Sequence, residues 1–175
     1  MNGYILVGGR SRRMGSDKSN LTIMGRNICH IIADKLKKSG CDHVFLVGKQ
    51  QSSVSITQII EPWTGHHPLY GVHTALHHCT DDFCIITPCD IPFVSLETYK
   101  NLCSQTVTTV LSTSSKKQPL LGLFSTSKRE LALSYAQQHR SVMSFVENEA
   151  YIVVSSDELH NINTPCDVRG PHDNC

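Results

Sequence analysis

The chain has 175 residues, of which 39% are hydrophobic and 18% charged, with a formal net charge of +1. That length suits one domain whose core needs no disulfide or metal staples. The balanced charge excludes a global basic field for nucleic acid or a membrane surface, so any anion must be bound at a local site.

Residues 3–7 are a short apolar run that stops at Gly8-Gly9, which predicts a buried strand entering a tight turn. A polar stretch follows to residue 20. Residues 27–38 carry Ile28, Ile31, Ile32 and Leu36 at helical spacing. Lys35, Lys37 and Lys38 suit the negative end of that helix, and Gly40 stops it. Strands are expected at 43–47 and 56–60, separated by a polar loop. A helix over 69–79 is marked by Leu69, Val72, Ala75 and Leu76, and the apolar run 83–87 is a strand ending at Pro88-Cys89-Asp90. Ser95 is the N-cap of a helix to Cys103, with Glu97 in its first turn. Residues 106–111 and 119–124 read as strands, 128–138 and 141–148 as helices, and 151–154 as a last strand. The polar tail from Pro165 reads as a loop or short helix.

Strands alternating with helices imply parallel pairing through right-handed crossovers. The expected fold is α/β: a three-layer α/β/α sandwich on a mostly parallel twisted sheet, made mixed by the two later strands. No repeat or linker divides the chain, so residues 1–175 form one domain. In such sheets ligands sit outside the carboxyl ends of the strands. The loop after the first strand, Glu61 after the third and Asp90 after the fourth mark such ends and can converge on one site.

Gly8 and Gly9 let backbone amides approach an anion, and Arg10, Arg12, Arg13 and Lys18 place four cations within nine residues. The loop is neither a Walker A loop nor a dinucleotide fingerprint, because Gly15 is separated from Lys18 by Ser16-Asp17 and the glycines do not give G-x-G-x-x-G. The eight cysteines show no C-x-x-C pair, and Cys79, Cys84 and Cys89, with four residues between neighbours, are a poor zinc pattern. With no leader-like segment and no apolar run of membrane-span length, a cytoplasmic protein with reduced thiols is expected. His73 and His77 are i,i+4 neighbours beside His78, and they read as an exposed helix face.

Residues 8–18 resemble the G-G-x-S-x-R-M-G-x-D-K loop of the molybdenum cofactor guanylyltransferases (MobA-like proteins), within the Rossmann-like nucleotidyltransferases. Pro68-Leu69-Tyr70-Gly71 resembles that family's G-P-L-A-G segment, and Thr87-Pro88-Cys89-Asp90-Ile91-Pro92 its P-C-D-x-P motif. Asn161-Ile162-Asn163-Thr164-Pro165-Cys166-Asp167 resembles its C-terminal N-x-N-T-P-E/D segment. The four occur in order from end to end.

The resemblance implies transfer of GMP from GTP to molybdopterin, forming the guanine dinucleotide cofactor and releasing pyrophosphate. It assigns Leu6, Val7, Gly8 and Gly9 to the nucleoside and phosphate contacts. Arg13 and Lys18 would hold the triphosphate, Asp90 would ligate Mg²⁺, and Glu61 would read the guanine. Residues 1–92 would form the nucleotide half and 93–175 the acceptor half, where Lys116, Lys117 and Arg140 are candidate cations. Partner proteins would deliver the pterin or receive the product. The Gly8-Gly9 pair resembles the guanylyl branch, whereas relatives that use CTP tend to have Ala-Gly.

Several positions depart from the pattern. Val7 replaces an alanine, His67 and Tyr70 replace the Gly and Ala of G-P-L-A-G, Glu61 stands for the commoner Asp, and Val47-Gly48-Lys49 lacks a nucleotide-touching Asn. Two alternatives stay open: a related transferase using CTP or a sugar-phosphate acceptor, and a non-catalytic nucleotide- or partner-binding module.

Overall fold

The computed structural model describes residues 1–8 and 20–162. Nine strands, five α-helices and a 3-10 turn at Thr126–Lys128 are found among them. They are β1 (Asn2–Leu6), β2 (Thr22–Ile23), β3 (Arg26–Asn27), α1 (Ile28–Ser39), β4 (His43–Gly48), β5 (Gln58–Ile60), α2 (Pro68–His78) and β6 (Phe83–Pro88). After these come α3 (Leu96–Cys103), β7 (Thr109–Ser112), β8 (Lys117–Ser125), α4 (Arg129–Gln137), α5 (Val142–Phe145) and β9 (Ala150–Val153). No helix among the described residues is long and apolar enough to cross a membrane.

A seven-stranded sheet runs in the order β5-β4-β1-β6-β8-β7-β9. The pairs β1–β4, β1–β6, β4–β5 and β7–β9 are parallel, and β8 runs against both of its neighbours. The sheet is therefore mostly parallel, with one reversed strand, as expected from the close spacing of the later strands. One continuous sheet spans both proposed halves of the chain.

Strand periodicity sends alternate side chains to opposite faces. Ile5, Ile85 and Leu123 enter a core with Ile32 and Leu36 of α1 and Tyr99 and Leu102 of α3. Their neighbours Tyr4, Ile86 and Phe124 enter a second core with Val72 and Leu76 of α2, Ala132 of α4 and Phe145 of α5. Two cores separated by a sheet make the three-layer sandwich.

The helix ends follow from local chemistry. Asn27 caps α1, its Oδ1 accepting from the Cys29 N–H at 2.9 Å, and Gly40 closes it at φ 116. Ser95 caps α3 through the Thr98 N–H at 3.0 Å, as its sequence predicts. His67 caps α2: Nδ1 accepts from the Leu69 N–H at 3.2 Å, which leaves Nε2–H to donate to the Arg140 carbonyl at 2.9 Å. The departure from Gly at this position thus has a structural use.

Four expectations need correction. The β2–β3 hairpin falls between the polar stretch and the helix, where no element was expected, because its turn uses Met24 and Gly25 at φ 49 and 75 in place of an Asn-Gly pair. The helix expected over 141–148 is only Val142–Phe145, and the strand expected from 106 begins at Thr109. His73 does not belong to an exposed face; it is buried, with Nδ1 at 3.0 Å from the Arg129 carbonyl, while His77 and His78 are exposed.

Candidate functional site

Four parallel strands, β5, β4, β1 and β6, end side by side, and their last peptides extend the ladder. The Val7 N–H donates to the Val47 carbonyl at 2.8 Å, the Cys89 N–H to the Leu6 carbonyl at 3.0 Å, and the Glu61 N–H to the Gly48 carbonyl at 3.0 Å. Leu6, Val7, Gly8, Glu61 and Asp90 therefore gather on one edge, where the order of strands predicted a crevice. Gly8 takes φ 121, a conformation that only glycine adopts without strain. Gly9, Arg13 and Lys18 lie outside the described residues, as do 163–167 of the C-terminal motif.

Gly48 explains the missing Asn. A Cβ on Gly48 would lie 2.2 Å from the Val7 carbonyl oxygen, so β1 and β4 approach closely only because no side chain intervenes. The position is occupied by backbone packing against the end of β1.

Glu61 reaches across to the start of α2. A Cβ on Gly71 would meet Glu61 Oε1 at 3.0 Å and Leu6 Cδ2 at 3.3 Å, which places the carboxylate against the Leu6 side chain and the bare helix backbone. Burial raises the Glu61 pKa, and the nearby Lys49 ammonium partly opposes this. Lys49 is held by the carbonyls of Trp63, at 3.0 Å, and Gly65. Trp63 stacks on Tyr70 at 5.4 Å between centroids, and Gly65 lies against the edge of the Tyr70 ring. Tyr70 is 9% exposed, so the tyrosine that replaces the family's alanine supports the loop after β5.

Asp90 follows β6 in a half-buried turn, and its carbonyl accepts from the Ile162 N–H at 2.8 Å. That bond brings the C-terminal segment to the same edge. No group of three His, Cys, Asp or Glu residues that could hold a metal exists among the described residues. Among the described residues, Asp90 offers a hard carboxylate at this edge, which phosphate oxygens and water could join around a cation. This donor set fits Mg²⁺ and not structural zinc.

Of the candidate cations Lys116, Lys117 and Arg140, the last two are engaged within the fold, while Lys116 is exposed. Lys117 donates to the carbonyls of Val146, Glu147 and Glu149 at 3.0–3.3 Å and covers the Tyr151 ring at 5.0 Å. Arg140 stacks on Tyr135 at 3.8 Å. Their use is in tying β8, β9 and the α4–α5 region together. Cys79 and Cys84 interact with each other and are buried among apolar side chains.

The fold and this edge define an α/β protein with a ligand crevice at the carboxyl ends of its parallel strands. Residues 3–157 match the MobA-like NTP transferase domain, and the chain belongs to that family. A probable molybdenum cofactor guanylyltransferase of Flavobacterium johnsoniae is 28% identical, covering 91% of this chain and 95% of its own. The molybdenum cofactor guanylyltransferase of Yersinia pestis (strain Pestoides F) is 28% identical, covering 94% and 91%. Molybdopterin-guanine dinucleotide biosynthesis protein A from Archaeoglobus fulgidus shares the fold with a TM-score of 0.77 at 22% identity, covering 97% and 95%.

Proposed function

We propose that the protein is a molybdenum cofactor guanylyltransferase. A terminal phosphate oxygen of molybdopterin attacks the α-phosphorus of GTP, the α–β bridge bond breaks, and pyrophosphate leaves. The observation that carries this reading is the placement of Glu61 beside Leu6 and Gly71 on the edge that also holds Asp90. Full-length relatives bearing that name support it.

Guanine presents N1–H and the 2-amino group as adjacent donors, and a carboxylate can accept both. Cytosine and adenine offer one amino group and no second donor beside it. Leu6, Val7 and Gly8 would line the nucleoside, and the Gly8-Gly9 turn with Arg13 and Lys18 would hold the triphosphate. Asp90 would hold Mg²⁺, which supplies charge neutralisation on the phosphates when bound. The residues themselves position the α-phosphorus and keep the acceptor in line, since phosphoryl transfer asks little covalent chemistry of the protein.

Glu61 gives this reading a pH signature. Its folded-state pKa lies above the ordinary glutamate value. GTP affinity is expected to fall as pH drops into the range between those values, because a protonated carboxyl accepts poorly from N–H donors. Stability should move the other way: it decreases as pH rises through the same window, since the folded chain resists ionising Glu61. Glu61→Gln should flatten both dependences and weaken GTP binding, and pH-resolved calorimetry with thermal unfolding reads them.

Binding of GTP, CTP, ATP and UTP with and without Mg²⁺ tests the base. Selective, Mg²⁺-strengthened GTP binding supports the proposal. A preference for CTP moves the activity to a sister transferase, and failure to bind any triphosphate favours a non-catalytic module.

A further inference from the structure

The turn that carries Asp90 from β6 to α3 is gripped by Ile162 of the C-terminal motif and by two residues outside all four motifs, Lys35 and Glu158. From α1, the Lys35 ammonium donates to the Pro92 carbonyl at 2.9 Å and the Val94 carbonyl at 2.8 Å. From the C-terminal segment, Glu158 Oε2 accepts from the Ser95 N–H at 2.8 Å and from the Thr98 hydroxyl at 2.7 Å. With the Ile162 N–H on the Asp90 carbonyl, the turn is fixed at four points between Asp90 and Ser95.

Lys35 differs from its helix neighbours. Lys37 and Lys38 are exposed, whereas Lys35 is half-buried and turned under the loop. Burial lowers its pKa, and the Glu158 charge partly restores it. Desolvating an ammonium is costly, and two charge-assisted hydrogen bonds offset that cost. A position that only needed a helix-end cation would leave the charge in water.

We propose that Lys35, with Glu158 across the turn, is a positioning residue for Asp90. It fixes the backbone so that the carboxylate meets a divalent cation on the bound triphosphate. The inference rests on the reading of Asp90 as the metal carboxylate. The grip joins the two ends of the chain at the turn: α1 follows the phosphate loop, and Glu158 precedes the C-terminal motif. Carboxylate placement at such sites tolerates errors of only about half an ångström.

Mn²⁺ titration of the full-length protein with GTP, followed by electron paramagnetic resonance, tests this. Lys35→Met should weaken Mn²⁺ affinity of the GTP complex by about tenfold, the usual effect of losing an outer-shell support, while metal-free GTP affinity stays unchanged. Lys35→Arg, which keeps the donors, should recover most of the loss. A merely structural lysine would lower the unfolding temperature and leave Mn²⁺ affinity alone, and that result overturns the proposal. Asp90→Asn separates the two layers: unchanged Mn²⁺ affinity in this variant overturns the Asp90 reading itself. Where Lys35→Met does not fold, Lys35→Gln is read by the same criteria.

Discussion

Asp90→Ala is expected to reduce Mg²⁺-dependent pyrophosphate release by about a thousandfold, since cation stabilisation of phosphoryl charge is worth several kcal/mol. The unfolding temperature should stay close to that of the parent chain. The Asp90 carbonyl still accepts from the Ile162 N–H, and Lys35 and Glu158 still hold the turn. The loss should therefore fall on turnover and on the Mg²⁺ dependence of nucleotide binding. Turnover within about tenfold of the parent would remove Asp90 from the reaction, since that is only about 1.4 kcal/mol.

Gly48→Ala should damage both fold and site. The new methyl would lie 2.2 Å from the Val7 carbonyl oxygen and 2.9 Å from Val7 Cγ2. Backbone sits in the way, so β1 or β4 must move, at a cost of about 2–3 kcal/mol. The bond from the Val7 N–H to the Val47 carbonyl is strained by the same movement. Because Val7 leads into the Gly8 turn, GTP affinity should fall along with the unfolding temperature. A stable Gly48→Ala protein with full GTP affinity would show that the strand ends are not packed as described.

Much of this architecture was legible in the residues because it is local. The apolar runs of β1, β4 and β6, the 3.6-residue spacing in α1 and α2, and the Ser95 cap each declare themselves within a few positions. The convergence of Leu6, Glu61 and Asp90 followed from strand order, since parallel strands end on one edge.

What stayed hidden depends on distant partners. The absence of an Asn at Gly48 looked like a loss until the Val7 carbonyl was seen beside it. Lys35 looked like a dipole cation, yet its partners are 57 and 59 residues away. Glu158 carried no signal, because its capping role belongs to a helix 60 residues earlier. Lys117 and Arg140 looked available for an anion, but carbonyls and aromatic rings have taken them up. The β2–β3 hairpin puts Met24, which positive φ disfavours, beside Gly25 in its turn.

The measurement that bears most directly on the central claim is pyrophosphate release by the intact chain with molybdopterin and each of GTP, CTP and ATP, with and without Mg²⁺. Release is expected to require molybdopterin and Mg²⁺ together and to be fastest with GTP. Release that ignores molybdopterin, or that proceeds as well with CTP as with GTP, would contradict that claim.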